Sequence, residues 1–262
     1  MENARMKTKY QITMLVAFAL IVGLVGCDSS TDPEHYADEN WQNADLVRGG
    51  LLYDKWWKMN SGTEPTTDFD PIWSGQTTNT RTGADSWRCK ECHGWDYVGK
   101  DGRYSSGSHY TGFDGVWNVR GYDKTLLFDS ILDENGDHDL SAVLSDQDAL
   151  DLTKFIVDGL VNMSLYMDAS GNATGDTTSG ETLYTANCVT CHGTDGLTLD
   201  FKSTAGIQGI GWLADDNPHE SLHKIRWGHP GSNPEMPSMV ENGLTAQQAG
   251  DILAHTQTLP GG

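Results

Sequence analysis

Two short segments of the sequence carry the same arrangement of thiol and imidazole side chains. CKECHG begins at Cys89 and CVTCHG begins at Cys188, and together they hold four of the five cysteines of the 262-residue chain. Thiols at this spacing can bind zinc, form a redox-active disulfide or attach a cofactor covalently. A structural zinc site would require two pairs from distant parts of the chain to meet, whereas zinc-binding pairs usually lie about 15 to 20 residues apart.

A histidine directly follows the second cysteine of each segment. Neither a structural zinc site nor a thioredoxin-type disulfide requires it. Covalent c-type haem does, because two thiols one helical turn apart bind the two vinyl groups of a porphyrin and the adjacent imidazole binds the iron. The spacing therefore predicts two covalently bound haem c groups. Their attachment residues and proximal iron ligands are Cys89, Cys92 and His93 for the first, and Cys188, Cys191 and His192 for the second.

The N-terminus has the composition of an export signal. A basic start, MENARMKTK, precedes the apolar run YQITMLVAFALIVGLVG, which is too short for a comfortable transmembrane span, and Cys27 follows at once. Leu24 to Cys27 resembles a bacterial lipobox. This predicts removal of residues 1–26, lipidation of Cys27 and a periplasmic protein tethered to a membrane; an uncleaved N-terminal anchor is the alternative. Asp28, directly after the cysteine, is similar to the inner-membrane retention signal of enteric-type lipoprotein sorting, which slightly favours the inner membrane.

The charge of the chain limits its partners. The formal net charge is −20, and removal of residues 1–26 makes it more negative because that segment holds three basic residues and one acidic residue. Such a surface repels nucleic acid and anionic lipid headgroups, and it favours fast encounters with basic protein partners. We therefore expect no nucleic-acid binding, and redox proteins with basic docking surfaces as partners.

Further motifs recur around the two segments. GGLLY at Gly49 and GETLY at Gly180 each precede one cysteine pair, while LSDQDALDL at Leu144 and LTAQQAGDI at Leu244 each follow one. The last two stretches begin with residues spaced like capping boxes, which predicts that each starts a helix. The repeat predicts two similar helical domains.

On these motifs, residues 44 to 260 resemble class I c-type cytochromes, present as two fused domains in a dihaem lipoprotein. The resemblance implies an all-α fold of two cytochrome c-like helical domains with long loops, each wrapped around one covalent haem. It also implies that the first and last helices of each domain cross beside the haem. In the first domain this would place Leu52 and Tyr53 near Phe155 and Ile156.

The predicted organisation has five parts. They are the lipoprotein signal peptide 1–26, the acidic tether 27–43, the first domain 44–167 with an insertion at 54–87, the linker 168–179 and the second domain 180–262. The insertion departs from the family pattern, and we expect it to cover part of the first haem or to form a contact surface. Its tryptophans are predicted haem walls: Trp56, Trp57, Trp73 and Trp87.

The sixth iron ligand of the second domain is predicted from the same resemblance. The family places a methionine, usually before proline, ahead of the last helix, and Met236 is followed by Pro237. Met239 is a nearby competitor that lacks the proline. The remaining histidines of the second domain are expected at the surface or beside the haem propionates, and His223 and Arg226 are candidates for propionate contacts. They are His219, His223, His229 and His255.

The sixth iron ligand of the first domain has several candidates. No methionine lies between His93 and the last helix, and His138 falls where the family's methionine is expected. We therefore favour His138 as the ligand. The alternatives are Met163 or Met167 after that helix, His109, an open iron, and a solvated His138.

Two functions from different classes are compatible with these features. The first is a membrane-tethered electron carrier with two six-coordinate irons and no catalytic residues. The second is a haem enzyme, such as a dihaem peroxidase or a thiosulfate dehydrogenase. Thiosulfate dehydrogenases typically use a cysteine as an iron ligand, and no thiol is left here for that role. The electron carrier is therefore favoured.

Overall fold

The computed structural model describes residues 33–133, 136–201 and 207–261. The predicted signal segment, the start of the tether and Cys27 lie outside these residues. Within them the protein is helical, and its only β pairing consists of three isolated bridges. The predicted all-α fold class is confirmed.

Ten α-helices occur in the described residues. Their bounds are α1 Pro33–Asn40, α2 Leu46–Met59, α3 Cys89–His93, α4 Lys124–Leu132, α5 Asp146–Lys154, α6 Thr177–Asn187, α7 Val189–His192, α8 Ile210–Asp216, α9 Pro218–Trp227 and α10 Ala246–Thr256. A π-helical turn, Phe155–Gly159, extends α5. We call residues 33–167 the N-terminal region and residues 168–261 the C-terminal region.

In the N-terminal region, α2 packs against α5. The Asp45 side chain caps α2 by accepting hydrogen bonds from two backbone amides of its first turn. Lys55 has non-helical backbone angles (φ −148°, ψ 81°) and kinks the helix. The ring of Tyr53 lies 5.3 Å from that of Phe155, so the predicted contact between these residues is confirmed.

The C-terminal region repeats this arrangement with α6 and α10. Asp151 Oδ1 accepts a hydrogen bond from the backbone amide of Asp45 at 2.8 Å, and Asp251 Oδ1 accepts one from Asp176 at 3.0 Å. Since Asp45 and Asp176 cap α2 and α6, each aspartate ties the start of one helix to the middle of its partner.

The helix starts predicted from the sequence are also present in both regions. Ser145 and Asp148 form a capping box at the start of α5, and Thr245 and Gln248 form one at the start of α10. In each box the side chains satisfy two backbone amides that would otherwise lack a partner. The two predicted capping boxes are confirmed.

Helix α9 joins the two regions. The Trp227 side chain packs on Gly50 of α2, where an added β-carbon would stand 2.6 Å from the indole. Arg226 Nη1 donates a hydrogen bond to the Gly159 carbonyl at 2.9 Å. The side of α9 that carries Trp227 is therefore covered by the N-terminal region.

His223, also on α9, is only 1 % exposed. Its Nε2 donates to the Gly50 carbonyl at 3.1 Å, so Nδ1 accepts a hydrogen bond from the Tyr97 hydroxyl at 2.9 Å. The expectation of a surface or propionate-side position for His223 is wrong. The residue instead lies in the interface between the two regions, against the rings of Tyr53 and Trp95.

Residues 168–176 form an ordered connection. The backbone of Asp168 bonds to Asn172, and the Ala173 amide donates to Gln257 Oε1 at 2.7 Å. Because α6 begins at Thr177, the last three residues of the predicted linker are helical. Among the described helices, none is long and apolar enough to cross a bilayer.

Candidate haem sites

A cavity of about 160 Å³ lies beside α3 in the N-terminal region. Its walls come from α3, from the insertion and from the loops that follow. They include Cys89, Cys92 and His93, the apolar residues Phe69, Ile72, Trp87, Phe113 and Leu140, and His138. The first predicted attachment motif and the favoured sixth ligand therefore line one cavity.

Local backbone geometry explains why a glycine follows each histidine. α3 and α7 are single helical turns, and they end at Gly94 (φ 79°) and Gly193 (φ 80°). Residues with a β-carbon rarely adopt such angles, whereas glycine does so without strain. The Tyr53 hydroxyl donates to the Gly94 carbonyl at 2.7 Å, and the Tyr184 hydroxyl donates to the Gly193 carbonyl at 2.9 Å.

His93 is oriented for metal binding. Its Nδ1 lies 2.6 Å from the backbone carbonyl of Asp114, and since a carbonyl only accepts, Nδ1 carries the proton. Nε2 is then left with its lone pair, as in protein metal sites where the second imidazole nitrogen is held by a carbonyl. Burial, and then the neighbouring His138, lower the pKa of His93 to about 4. The imidazole is therefore neutral at pH 7, which is its metal-binding form.

His138 faces His93 across this cavity. The two ring centres are 6.2 Å apart, with ring planes at 54°. Two imidazoles bound to one metal ion through nitrogens about 2 Å away would place their ring centres about 6 Å apart. His138 Nδ1 donates to the Ser130 carbonyl at 3.2 Å, which leaves Nε2 for a ligand, and burial lowers the pKa of His138. The spacing fits an iron between the two rings.

The other candidates for this position lie elsewhere. Met163 is 2 % exposed and packs in the protein core, where it is not among the residues that line the cavity. His109 Nδ1 hydrogen-bonds Glu91 Oε1 at 2.8 Å, and its ring stacks on Tyr104. Neither residue faces His93 in this structure.

The tryptophans of the insertion divide into two groups. Trp87 lines the first cavity, and its ring packs 4.5 Å from that of Phe69. Trp56, Trp57 and Trp73 are buried in the surrounding core and do not line the cavity. Trp56 supports the wall from behind, since it contacts Trp87 edge to face at 6.2 Å.

A second cavity, of about 340 Å³, lies beside α7. Cys188, Cys191 and His192 stand on one side of it, and the segment that holds Met236 and Met239 contributes another part of the wall. His192 is buried, and its Nδ1 has no hydrogen-bond partner in the described part of the chain. Burial lowers its pKa, so this imidazole is also neutral at pH 7.

Both methionine candidates line the second cavity, but their surroundings differ. Met239 is 4 % exposed, and its sulfur lies 3.9 Å from the Asn242 Nδ2 donor. Met236 is half-buried, and its backbone amide donates to Ser232 Oγ at 2.8 Å while its carbonyl accepts from the His229 amide. These bonds hold the Met236 segment in place without using the sulfur, which favours Met236 as the ligand.

Sequence reasoning missed a group of charged residues between the two cavities. Arg88, in the first cavity wall, forms an ion pair with Asp54, and Lys224, in the second cavity wall, forms one with Glu220. Both cations lie over the indole of Trp95, at 5.8 and 6.0 Å from its ring centre. The available signal was Asp54 itself, which interrupts the apolar run GGLLYDKWW.

Each cavity offers the groups that covalent haem requires. Two thiols stand on one helical turn, and the structure leaves Cys89, Cys92, Cys188 and Cys191 as free cysteines. A neutral imidazole follows each pair, and the walls are largely apolar. In the described ranges, no three His, Cys, Asp or Glu side chains cluster as a metal site, so the zinc alternative has no ligand set there.

Comparison with known proteins agrees with this chemistry. Residues 177–260 match the family model described as Cytochrome c, and the matched segment contains the second attachment motif and Met236. No curated protein and no solved structure matches the chain. The family match and the thiol-lined cavity within it support a class I c-type cytochrome domain with covalently bound haem c over residues 177–260, and with it a haem-based role in electron transfer.

Proposed function

We propose that the protein is a dihaem c-type cytochrome that passes electrons between redox partners at a membrane. The repeat of α2 and α5 by α6 and α10 supports a second cytochrome domain in the N-terminal region. Equivalent hydrogen bonds recur at Asp151 and Asp251, and each motif glycine accepts from an equivalent tyrosine. Such detailed correspondence is expected if both regions hold a covalently bound haem.

The observation that carries this proposal is the placement of His138 opposite His93 at 6.2 Å, in a cavity that two thiols also line. Cys89 and Cys92 would attach the first haem, and the two imidazoles would bind its iron. Asp114 and Ser130 hold those imidazoles in the required tautomers. Phe69 and Trp87 form an apolar wall on one side of the cavity.

In the second site, Cys188 and Cys191 would attach the haem, with His192 and Met236 as axial ligands. The haem supplies one-electron chemistry, while the protein sets its potential and access. Methionine sulfur favours ferrous iron more than a second imidazole does, so the second site should have the higher potential. Electrons would then enter through the N-terminal region and leave from the C-terminal region.

The proposed location and partners rest on the sequence. We propose that Cys27 is lipidated and tethers the protein in the periplasm, with the inner membrane slightly favoured. The net charge of −20 favours partners with basic docking surfaces.

An enzymatic role, such as that of a dihaem peroxidase, would need an open iron. The ring of His138 lies 6.2 Å from that of His93, which supports a filled sixth position and favours the carrier over the enzyme. Carbon monoxide distinguishes them, because it binds ferrous haem rapidly only where a coordination position is open or labile.

The test combines a haem count with carbon monoxide binding. A pyridine haemochrome assay on denatured protein should give two haems per chain, and a Cys89→Ala/Cys92→Ala variant should retain one. The reduced wild-type protein should not bind carbon monoxide rapidly. One haem per chain, or haem extracted by acidic acetone, would refute the dihaem proposal, and rapid binding would favour the enzyme.

A further inference from the structure

A buried carboxylate lies at the interface between the two regions. Asp54, on α2, is fully buried, and its Oδ1 forms an ion pair with the Arg88 guanidinium. The Arg88 Nε also donates to the backbone carbonyl of Asp54 at 3.1 Å. The second carboxylate oxygen, Oδ2, has no hydrogen-bond partner in the described residues. The carboxylate is therefore held against the Arg88 guanidinium through Oδ1 alone.

This carboxylate is close to the walls of both cavities. Its partner Arg88 lines the first cavity, and Lys224 lines the second. The two cations lie over the same indole ring, that of Trp95. The charge of Asp54 also acts on Lys224 and on His229, another wall residue of the second cavity. Both candidate iron sites thus lie within the electrostatic reach of one group.

Asp54 is ionised at neutral pH. Burial alone would raise its pKa, but Arg88, Lys224 and Lys55 outweigh that effect and lower the pKa to about 2. A fixed charge in a poorly polarisable interior acts more strongly than the same charge at the surface, where water screens it.

We propose that the Asp54 carboxylate is a shared electrostatic determinant that lowers the reduction potentials of both haem irons. This inference rests on the proposed dihaem function. Reduction adds one electron to each iron and converts Fe³⁺ to Fe²⁺, with no bond made or broken and no proton moved. A nearby negative charge stabilises the more positive ferric state, so it opposes reduction at both sites.

The test is a redox titration of the dihaem protein and an Asp54→Asn variant, which keeps the shape of the side chain and removes its charge. Both waves should move to higher potential, corresponding to about a tenfold rise in the ferrous to ferric ratio, or about 59 mV for one electron. The matched control is Asp85→Asn. Asp85 pairs with the same guanidinium at 3.2 Å but is 47 % exposed, so its loss should shift neither wave appreciably.

An Asp54→Ser variant removes the same charge with a smaller polar side chain, so both waves should again move to higher potential. This variant keeps the inference testable if Asp54→Asn does not fold.

A second measurement does not depend on electron transfer. Asp54 raises the pKa of His223, so Asp54→Asn should lower that pKa in an NMR titration of the reduced protein. An unchanged His223 pKa would contradict the electrostatic reach of Asp54.

Three outcomes of the redox titrations would also overturn the inference. They are unchanged waves in Asp54→Asn, a shift of only one wave, and an equal shift in Asp85→Asn. Each is distinct from failure of the dihaem proposal, because the haem count and the presence of two waves are established first on the wild-type protein.

Discussion

Gly49 lies directly against the backbone of Asp151, where a β-carbon added to the glycine would stand 2.0 Å from the carbonyl oxygen. Gly180 has the same relation to Asp251, also at 2.0 Å. Each helix pair, α2 with α5 and α6 with α10, therefore crosses where one helix presents no side chain. Glycine weakens a helix interior by roughly 0.5 to 1 kcal/mol relative to alanine, and here close packing of two backbones offsets that cost.

We predict that Gly49→Ala and Gly180→Ala each lower the free energy of unfolding by about 1 to 3 kcal/mol or more, because the obstructing atoms belong to the backbone. Denaturant unfolding measures the change. Gly121→Ala is the control, since a β-carbon there meets nothing within 4 Å. A Gly49→Ala variant as stable as this control would show that the helices can separate at no cost.

His138→Ala should open the first iron. The reduced variant should bind carbon monoxide rapidly, and only the lower of the two redox waves should change, because His138 faces His93 alone. His109→Ala is the matched control, since His109 is engaged by Glu91 and should not affect carbon monoxide binding. If His138→Ala behaved like the wild type, another residue would be the sixth ligand.

Met236→His should lower the potential of the second site and leave the first unchanged. We expect a fall of tens of millivolts or more, since axial ligands set haem potentials over a range of about 0.8 V. A spectroelectrochemical titration measures both waves. Met239→Leu tests the competing methionine in the same cavity and should leave the upper wave in place. The opposite pattern would assign the ligand to Met239.

Burial of His223 should make folding stability depend on pH. Burial lowers its pKa to about 4, while Asp54 raises it and Arg226 and Lys224 lower it further. The unfolded chain, in which the pKa of histidine is about 6.5, binds the proton more readily. The contribution of neutral His223 is therefore complete above about pH 6.5, is lost progressively as the pH falls, and levels off below about pH 4.

His223→Gln isolates this effect from that of the other histidines. The amide can still accept from the Tyr97 hydroxyl and donate to the Gly50 carbonyl, but it does not titrate. Wild-type stability should therefore fall relative to the variant by up to about 3 kcal/mol between pH 6.5 and 4, since one pKa unit corresponds to about 1.4 kcal/mol. Parallel stability curves would show that His223 is accessible to protons in the folded protein.

Cys27→Ser should abolish lipid attachment and leave an unprocessed precursor. The lipobox-like sequence from Leu24 to Cys27 motivates this prediction. Mass spectrometry of the membrane-associated wild-type protein should find residue 27 as a lipidated N-terminus. A mature wild-type protein that still carries residues 1–26 would support the uncleaved anchor instead.

Local patterns predicted much of the fold because the forces that produce them act over a few residues. The capping boxes at Ser145 and Thr245 follow from hydrogen bonds three residues apart, so both helix starts were correct. The position of His138 could be proposed because its distance from the following helix matches that of the methionine in the family. The motifs at Gly49 and Gly180 predicted only a repeat, and the close approach of each glycine to a partner helix is seen in the structure alone.

The interface between the two regions was not predictable in the same way. Helix α9 has the sequence PHESLHKIRW, whose polar residues suggest a solvated face. His223 is buried only because Gly50 and Tyr97, far away in the sequence, offer it an acceptor and a donor. Asp54 likewise pairs with a cation 34 residues later. Such long-range contacts leave no periodic pattern of residues in the sequence.

The packing of the N-terminal region on α9 decides whether the C-terminal region can fold by itself. Trp227 is almost fully buried, and it packs against Gly50 and against Phe155, whose ring lies 5.3 Å away. Residues 168–262 produced alone would expose this indole and the apolar side of the helix to water. The two halves should therefore unfold in a single cooperative transition, and a stable fragment would require polar replacements along α9.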